Sequence, residues 1–226
     1  MATLCSESKT FLLYISTDYV FSGLPGEAPY APDAAPNPPN VYGQTKLDGE
    51  RVVLQSTAQR ERERECLSAV LRVPVLYGPT GEDGNGISAV NYLIDQVWKA
   101  QAESSTGHDA IKMDDYAQRY PTNTEDVGRV CVDICTLYTS KRSTELPRVL
   151  HFSSEDCCTK WEMCQTFAKI FGIQLKGMVP HRPTPEEEMT VKRPYDCHLD
   201  TTVLKDIGID VSTKDFEIWW RGYLRA

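Results

Sequence analysis

Apolar positions along the chain fall into short unbroken runs and into helical spacings. Phe11 to Ile15 is an apolar run, Phe-Leu-Leu-Tyr-Ile, which reads as a strand of a parallel sheet buried on both faces. It ends in Ser16-Thr17-Asp18, polar residues at a strand's carboxyl end, where open α/β sheets place ligands. Residues 23–40 hold six prolines and two glycines, which predicts a long ordered loop. From Tyr42 onward, Leu47, Val52, Val53 and Leu54 predict a helix. Gln59 to Glu65 alternates Arg and Glu and reads as a solvated helix end or insertion. Leu67 to Leu76 predicts a second buried strand, running into Tyr77-Gly78-Pro79. Strand, loop, helix, strand is the order of an α/β protein with parallel strands.

The second half mixes shorter elements. Gly81 to Gly86 reads as a flexible loop, and Ile87 to Ala102 as a helix with Val90, Leu93, Ile94 and Val97 inward. Thr124 to Tyr138 predicts a helix burying Val127, Val130, Ile134 and Leu137, and Val149 to Phe152 a short strand. Thr159-Lys-Trp-Glu162 has the capping-box pattern and opens a helix closed by Gly172. Residues 176–194 are proline-rich, carry Glu186-Glu187-Glu188 and read as a loop. Short terminal helices are expected at Leu204 to Ile207 and Phe216 to Leu224.

Composition narrows the class. The 226 residues are 41% hydrophobic and 25% charged, as in globular domains. The net charge of −8 argues against a nucleic-acid partner, which calls for a basic face. No stretch approaches the roughly 20 apolar residues of a membrane helix, and the N-terminus lacks a secretory pattern. The eight cysteines include no Cys-x-x-Cys, so zinc is not expected. Cys131 and Cys135 read as buried free thiols and Cys157-Cys158 as too close for an ordinary disulfide, which suits a reducing, cytoplasmic compartment.

Tyr42 and Lys46 stand four apart, on one face of the predicted helix. An ammonium beside a phenol favours the phenolate, as proton transfer near neutral pH requires, and can also hold a ribose hydroxyl. A hydroxyl at the neighbouring strand end, Ser16 or Thr17, could polarise a carbonyl that accepts hydride. Asp18 reads as a cap for the following turn, and Trp161, Trp219 and Trp220 as packing residues.

Ser16-Thr-Asp-Tyr-Val-Phe21, Gly23, Tyr42-Gly-Gln-Thr-Lys-Leu-Asp-Gly-Glu50 and Leu71-Arg-Val-Pro-Val-Leu-Tyr-Gly78 occur in this order. The set resembles the extended short-chain dehydrogenase/reductases, in the branch containing dTDP-4-dehydrorhamnose reductase. Gln118-Arg-Tyr-Pro-Thr122 with Glu125-Asp-Val127, Thr159-Lys-Trp-Glu-Met163, Arg193-Pro194 and Leu199-Asp200 resemble the regulatory beta-subunit family of methionine adenosyltransferase within that branch. The likeness runs from about residue 11 to about residue 210.

The resemblance implies an incomplete Rossmann-like parallel sheet, later strands only, with a smaller C-terminal α/β substrate-side region. Residues 1–80 would carry the dinucleotide-binding part and 81–226 the substrate side, the strand near 149–152 returning to the sheet. Thr17, Tyr42 and Lys46 would be the catalytic triad, with Tyr42 and Lys46 on the nicotinamide ribose. Val73, Pro74, Val75 and Leu76 would line the nicotinamide. Arg119 and Thr122 would lie near the substrate pocket, a surface salt bridge being the alternative for Arg119. The implied cofactor is NADP and the implied partner the methionine adenosyltransferase catalytic subunit, in support of S-adenosylmethionine synthesis.

No Gly-x-Gly-x-x-Gly or Gly-x-x-Gly-x-x-Gly occurs, and Gly81-Glu-Asp-Gly-Asn-Gly86 carries two acids that would repel phosphate. Against the family's pattern, the first third of the fold and a C-terminal docking tail lie outside these residues, and the Phe11 strand would have a free edge. The chain alone is therefore expected not to hold NADP. A fragment, a sheet completed by another chain and a degenerate member kept for binding all remain open. So do three functions: a regulatory subunit, an NADP-dependent reductase of a nucleotide-sugar ketone and an inactive fragment.

Overall fold

The computed structural model describes residues 1–61, 68–102, 110–141, 145–184 and 193–225. In chain order the elements are α1 (Ala2–Glu7), β1 (Leu12–Thr17), α2 (Val41–Glu61), β2 (Ser68–Val73), β3 (Leu76–Tyr77), α3 (Tyr92–Ala102), β4 (Ile111–Asp114), β5 (Thr122–Asn123), α4 (Thr124–Lys141), β6 (Val149–His151), α5 (Lys160–Phe171), β7 (Met178–His181), α6 (Thr202–Asp206) and α7 (Phe216–Tyr223). Tight 3-10 turns occupy Asp18–Val20, Gly81–Asp83 and Asn85–Ile87.

The main sheet is parallel, in the order β1-β2-β6. Helix α2 makes the crossover between β1 and β2, which parallel neighbours require. The central strand β2 is buried at every position. β1 is an edge, so Leu12 to Ile15 are only partly buried, contrary to the expectation of burial on both faces; Ser16 and Thr17 alone are fully covered. β6 returns to the sheet beside β2, pairing Val70 with Val149 and Arg72 with His151.

Helix α4 lays Val127, Val130, Ile134 and Tyr138 against Leu71, Leu150 and Phe152 of the sheet layer. Each such side chain, fully buried, contributes about 1.5–3 kcal/mol. A second core joins α3, α5 and α7 around Trp220, Phe167, Leu93 and Tyr77. Trp220 is wholly buried, Trp219 and Trp161 pack on the same cluster, and Trp219 stacks on Tyr223 at 4.8 Å. All three tryptophans are packing residues.

The residue 23–40 loop is ordered, as expected. Phe21 stacks on Tyr30 at 4.2 Å, and Tyr30 pairs with the C-terminal segment through Tyr30 N–H to His198 O (2.8 Å) and Asp200 N–H to Tyr30 O (2.9 Å). Capping at Thr159 and closure at left-handed Gly172 follow the sequence pattern for α5.

Several expectations are corrected. The predicted strand to Leu76 breaks at Pro74, which has no N–H for a ladder, and β3 pairs with β5 instead of continuing the main sheet. The helix expected from Ile87 begins at Tyr92, because the Ser88 hydroxyl accepts from the N–H groups of Val90 and Asn91 and so caps it. Met178–His181, read as loop, is β7, paired with β4; a two-stranded edge tolerates Pro180. Cys131 and Cys135 are half-buried, with burial raising both thiols. Seven cysteines among the described residues are free thiols. The Arg/Glu run beyond Glu61 and Glu186–Glu188 lie outside the described residues.

Candidate functional site

A cavity of about 560 Å³ opens at the carboxyl ends of β1 and β2. The register explains what meets there. Thr17 pairs with Val73, so the polar end of β1 lies beside the start of Val73-Pro74-Val75-Leu76. All five residues line the cavity, with Tyr42 and Lys46 of α2 and Arg119.

Two features bring α2 close. Asn40 ends the proline-rich loop and caps the helix, its Oδ1 accepting from Gly43 N–H at 2.9 Å. Gly43 then passes against the backbone of Tyr19: a Cβ there would lie 2.0 Å from the Tyr19 carbonyl oxygen. Glycine is required by this close approach. Tyr42 is 53% exposed and meets the Tyr19 ring edge-on at 6.0 Å. Lys46 donates to the Ile15 carbonyl at 3.2 Å and lies 5.4 Å from the centre of the Tyr14 ring. One of its three donors is thus engaged, and the cavity is open to the rest.

Ser16 and Thr17 separate into different roles. Ser16 donates to Glu50 Oε1 at 2.5 Å, so its hydroxyl is committed to the interior. Thr17 donates to Asp18 Oδ1 at 2.9 Å and accepts from Tyr19 N–H at 3.3 Å. It is Thr17 that caps the Asp18–Val20 turn, the place the sequence suggested for Asp18. Asp18 is buried instead, and burial raises its carboxyl to about 6, against the lowering effects of Thr17 and Arg119.

Sequence reasoning missed a buried polar network behind the site. Glu50 continues the stripe of Tyr42 and Lys46 one helical turn on. Its carboxylate takes two bonds from Arg72, Nε at 2.9 Å and Nη2 at 2.7 Å, with both side chains 2–4% exposed. Arg72 Nη1 also donates to Pro32 O (3.2 Å) and to His151 Nε2 (3.3 Å), while His151 Nδ1 faces Tyr30 O at 3.1 Å. Burial first, and the Arg72 charge second, hold His151 neutral by lowering its pKa to about 3. The network ties α2, both strands and the loop together. Its signal was Glu50 at four-residue spacing after Lys46, with Arg72 inside an apolar run.

Arg119 is not a surface salt-bridge partner. It is 6% exposed, and its Nη1 donates to the carbonyls of Gln118 (2.8 Å) and Pro194 (3.3 Å). Thr122 does not line the cavity. It is wholly buried, its hydroxyl donating to Tyr120 O and accepting from Ser154 N–H, which pins β5 to the segment after β6.

The wall from Val73 to Leu76, with Tyr42 and Lys46, has the apolar face and donors that a nicotinamide ribose would take. The pyrophosphate is different. The N-terminus of α5, beside the cavity at Lys160, is closed by the Thr159–Glu162 capping box, and Glu162 adds a carboxylate there. Gly81–Gly86 forms two tight turns with Glu82 and Asp83. Among the described residues no backbone cradle suits a pyrophosphate.

The sequence matches the RmlD substrate binding domain over residues 1–218. The methionine adenosyltransferase 2 subunit beta of Danio rerio is 36% identical over 96% of this chain and 60% of its own length. That of Rattus norvegicus is 34% identical over 90% and 54%. The chain thus spans a little over half the length of these relatives. A dTDP-4-dehydrorhamnose reductase of Mycolicibacterium smegmatis is 44% identical, but over 24% of this chain and 16% of its own length. Among solved structures, dTDP-4-dehydrorhamnose reductase from Bacillus anthracis in complex with NADP superposes with a TM-score of 0.72, at 21% identity, over 100% of this chain and 69% of that one. dTDP-glucose 4,6-dehydratase from the same organism, in complex with NAD, gives 0.75 at 13% identity, over 99% and 64%. The fold is that of the Rossmann-like extended short-chain dehydrogenases/reductases, and the chain belongs to the RmlD substrate binding domain family.

Proposed function

We propose that this chain is a regulatory-subunit-like protein that binds the methionine adenosyltransferase catalytic subunit and so supports S-adenosylmethionine synthesis. One observation carries the reading: likeness to proteins named as beta subunits extends at 33–36% identity along 90–96% of the chain, whereas likeness to the dTDP-4-dehydrorhamnose reductase of Mycolicibacterium smegmatis covers 54 residues. Residues 1–80 act as the nicotinamide side of the site and 81–226 chiefly as the substrate side. Thr17, Tyr42 and Lys46 position a nicotinamide ribose against Val73–Leu76, and the chain alone holds little or no NADP. Free thiols, and the lack of any described helix long and apolar enough to cross a membrane, accord with a cytoplasmic setting.

Sedimentation velocity of the chain mixed with the catalytic subunit tests the partner. The expected outcome is a joint boundary at micromolar concentrations. Separate boundaries, with and without NADP, would end this reading. A reductase is the second reading, favoured by Thr17, Tyr42 and Lys46 lining one cavity. It requires NADPH consumption with a nucleotide-sugar ketone that Tyr42→Phe abolishes.

A further inference from the structure

Tyr14 is the one polar-tipped residue in the apolar run from Phe11 to Ile15, and neither the family pattern nor the cavity wall gives it a part. Side chains alternate across a strand. Leu13 and Ile15 of β1 accordingly pack toward the core that α4 covers, while Tyr14 and Ser16 turn to the opposite face, against α2.

The outer end of the Tyr14 ring meets the α2 backbone at Gly49, where a Cβ would stand 2.3 Å from Tyr14 Oη and 2.7 Å from Cζ. A bare backbone at Gly49 is what lets the ring lie beneath the helix. Lys46 precedes Gly49 by three residues and so stands on the same face of α2. Its ammonium lies 5.4 Å from the centre of the Tyr14 ring and donates to the carbonyl of Ile15, the next residue along β1, at 3.2 Å.

Other groups that could direct this ammonium are engaged elsewhere. Glu50, the carboxylate one turn on, is spent on Ser16 and Arg72. Tyr42, the phenol one turn back, meets the Tyr19 ring edge-on at 6.0 Å. Burial first, then the Glu50 and Tyr42 charges, push the Tyr14 phenol up, so it stays protonated and meets the ammonium through its ring. A cation over an aromatic face is attracted by the ring quadrupole.

We propose that Tyr14 is the positioning residue for Lys46: its ring, with the Ile15 carbonyl, sets where the ammonium presents its remaining donors to a ribose hydroxyl in the cavity. The proposal deepens, and rests on, the reading of Lys46 as a ribose-holding group. Gly49 makes the arrangement possible by leaving room for the ring.

Two readouts on the full chain test it. In NMR spectra the Lys46 Cε protons should be shifted upfield by the ring current of Tyr14. Acylation by acetic anhydride at one pH near neutrality, followed by mass spectrometry, gives the rate at Lys46 relative to exposed Lys205. Tyr14→Leu should abolish the upfield shift and raise the relative rate about two- to fivefold, as expected for release from a cation–π contact. Tyr14→Phe keeps the ring and should leave both readouts as in wild type, which a role for the hydroxyl would not allow. A wild-type spectrum without the upfield shift overturns the proposal. So does a Lys46 rate unmoved by Tyr14→Leu, or a Tyr14→Phe protein that behaves like Tyr14→Leu. If circular dichroism shows that Tyr14→Leu does not fold, Gly49→Ala, which pushes the ring off its seat, takes its place with the same expected changes, and unchanged readouts overturn the proposal. Neither NADP nor the catalytic subunit is needed, so failure here leaves the regulatory reading to its own test.

Discussion

Glu50→Gln is the sharpest probe of how the site is held. Glu50 and Arg72 are 2–4% exposed and share two hydrogen bonds, so the pair is desolvated on both sides. The substituted amide would keep the shape and remove the charge. Arg72 would then be a buried cation with weaker acceptors in Pro32 O and His151 Nε2. Breaking one side of such a pair costs about 3–5 kcal/mol, a large part of the roughly 5–15 kcal/mol that holds a domain folded. At about 2–4 °C per kcal/mol for a chain of this length, the midpoint should fall by roughly 6–20 °C. Urea and thermal unfolding followed by circular dichroism read this directly. The double variant Glu50→Leu/Arg72→Met should recover much of the loss, because no charge is then stranded. Recovery would stay incomplete, since Ser16, Pro32 and His151 each lose a bond of about 1 kcal/mol. A Glu50→Gln midpoint indistinguishable from wild type would refute the reasoning and mean that water reaches Arg72.

Three further outcomes are expected. Asp18→Asn should stabilise the protein above pH 6: a carboxyl raised from 3.8 to about 6 favours folding below pH 3.8 and loses that contribution as pH rises through 6, so the variant should gain about 3 kcal/mol at pH 8 and nothing at pH 3.5 in paired urea titrations. A gain independent of pH would contradict this. His151→Gln should flatten the acid limb of stability, because a histidine held neutral with its pKa lowered to about 3 supports folding above pH 6.5 and progressively less as pH falls toward 3. Gly43→Ala should push α2 off the Tyr19 backbone, and hydrogen exchange at Gly43 and Gln44, bonded to Asn40, should speed by at least about tenfold.

How much of this was legible in the sequence depended on the kind of signal. Helix α5 could be read because a capping box and a left-handed glycine are local devices. Helix α4 could be read because its apolar residues keep one spacing over about three turns. β7 was hidden by Pro180 and β4 by its brevity, since each gains its strand character only from the other. The parallel order of β1 and β2 followed from the crossover helix. The cost of β1 standing at an edge did not, because burial belongs to the neighbours a strand finds. Within the site, Tyr42, Lys46 and Thr17 announced themselves by spacing and family pattern. The Glu50–Arg72–His151 network did not, because its members come from α2, β2 and β6 and meet only when the sheet forms. Thr122, three residues after Arg119, was not legible either: its hydroxyl is spent on the backbone groups of Tyr120 and Ser154 and does not line the cavity.

The most direct test of the regulatory account is S-adenosylmethionine synthesis by the catalytic subunit, followed with and without this chain. The account predicts that the chain changes the rate or the methionine dependence, and that Tyr42→Phe changes it equally, since no proton transfer at Tyr42 is involved. Unaltered kinetics, together with Tyr42-dependent NADPH consumption on a nucleotide-sugar ketone, would contradict it and make the chain a reductase.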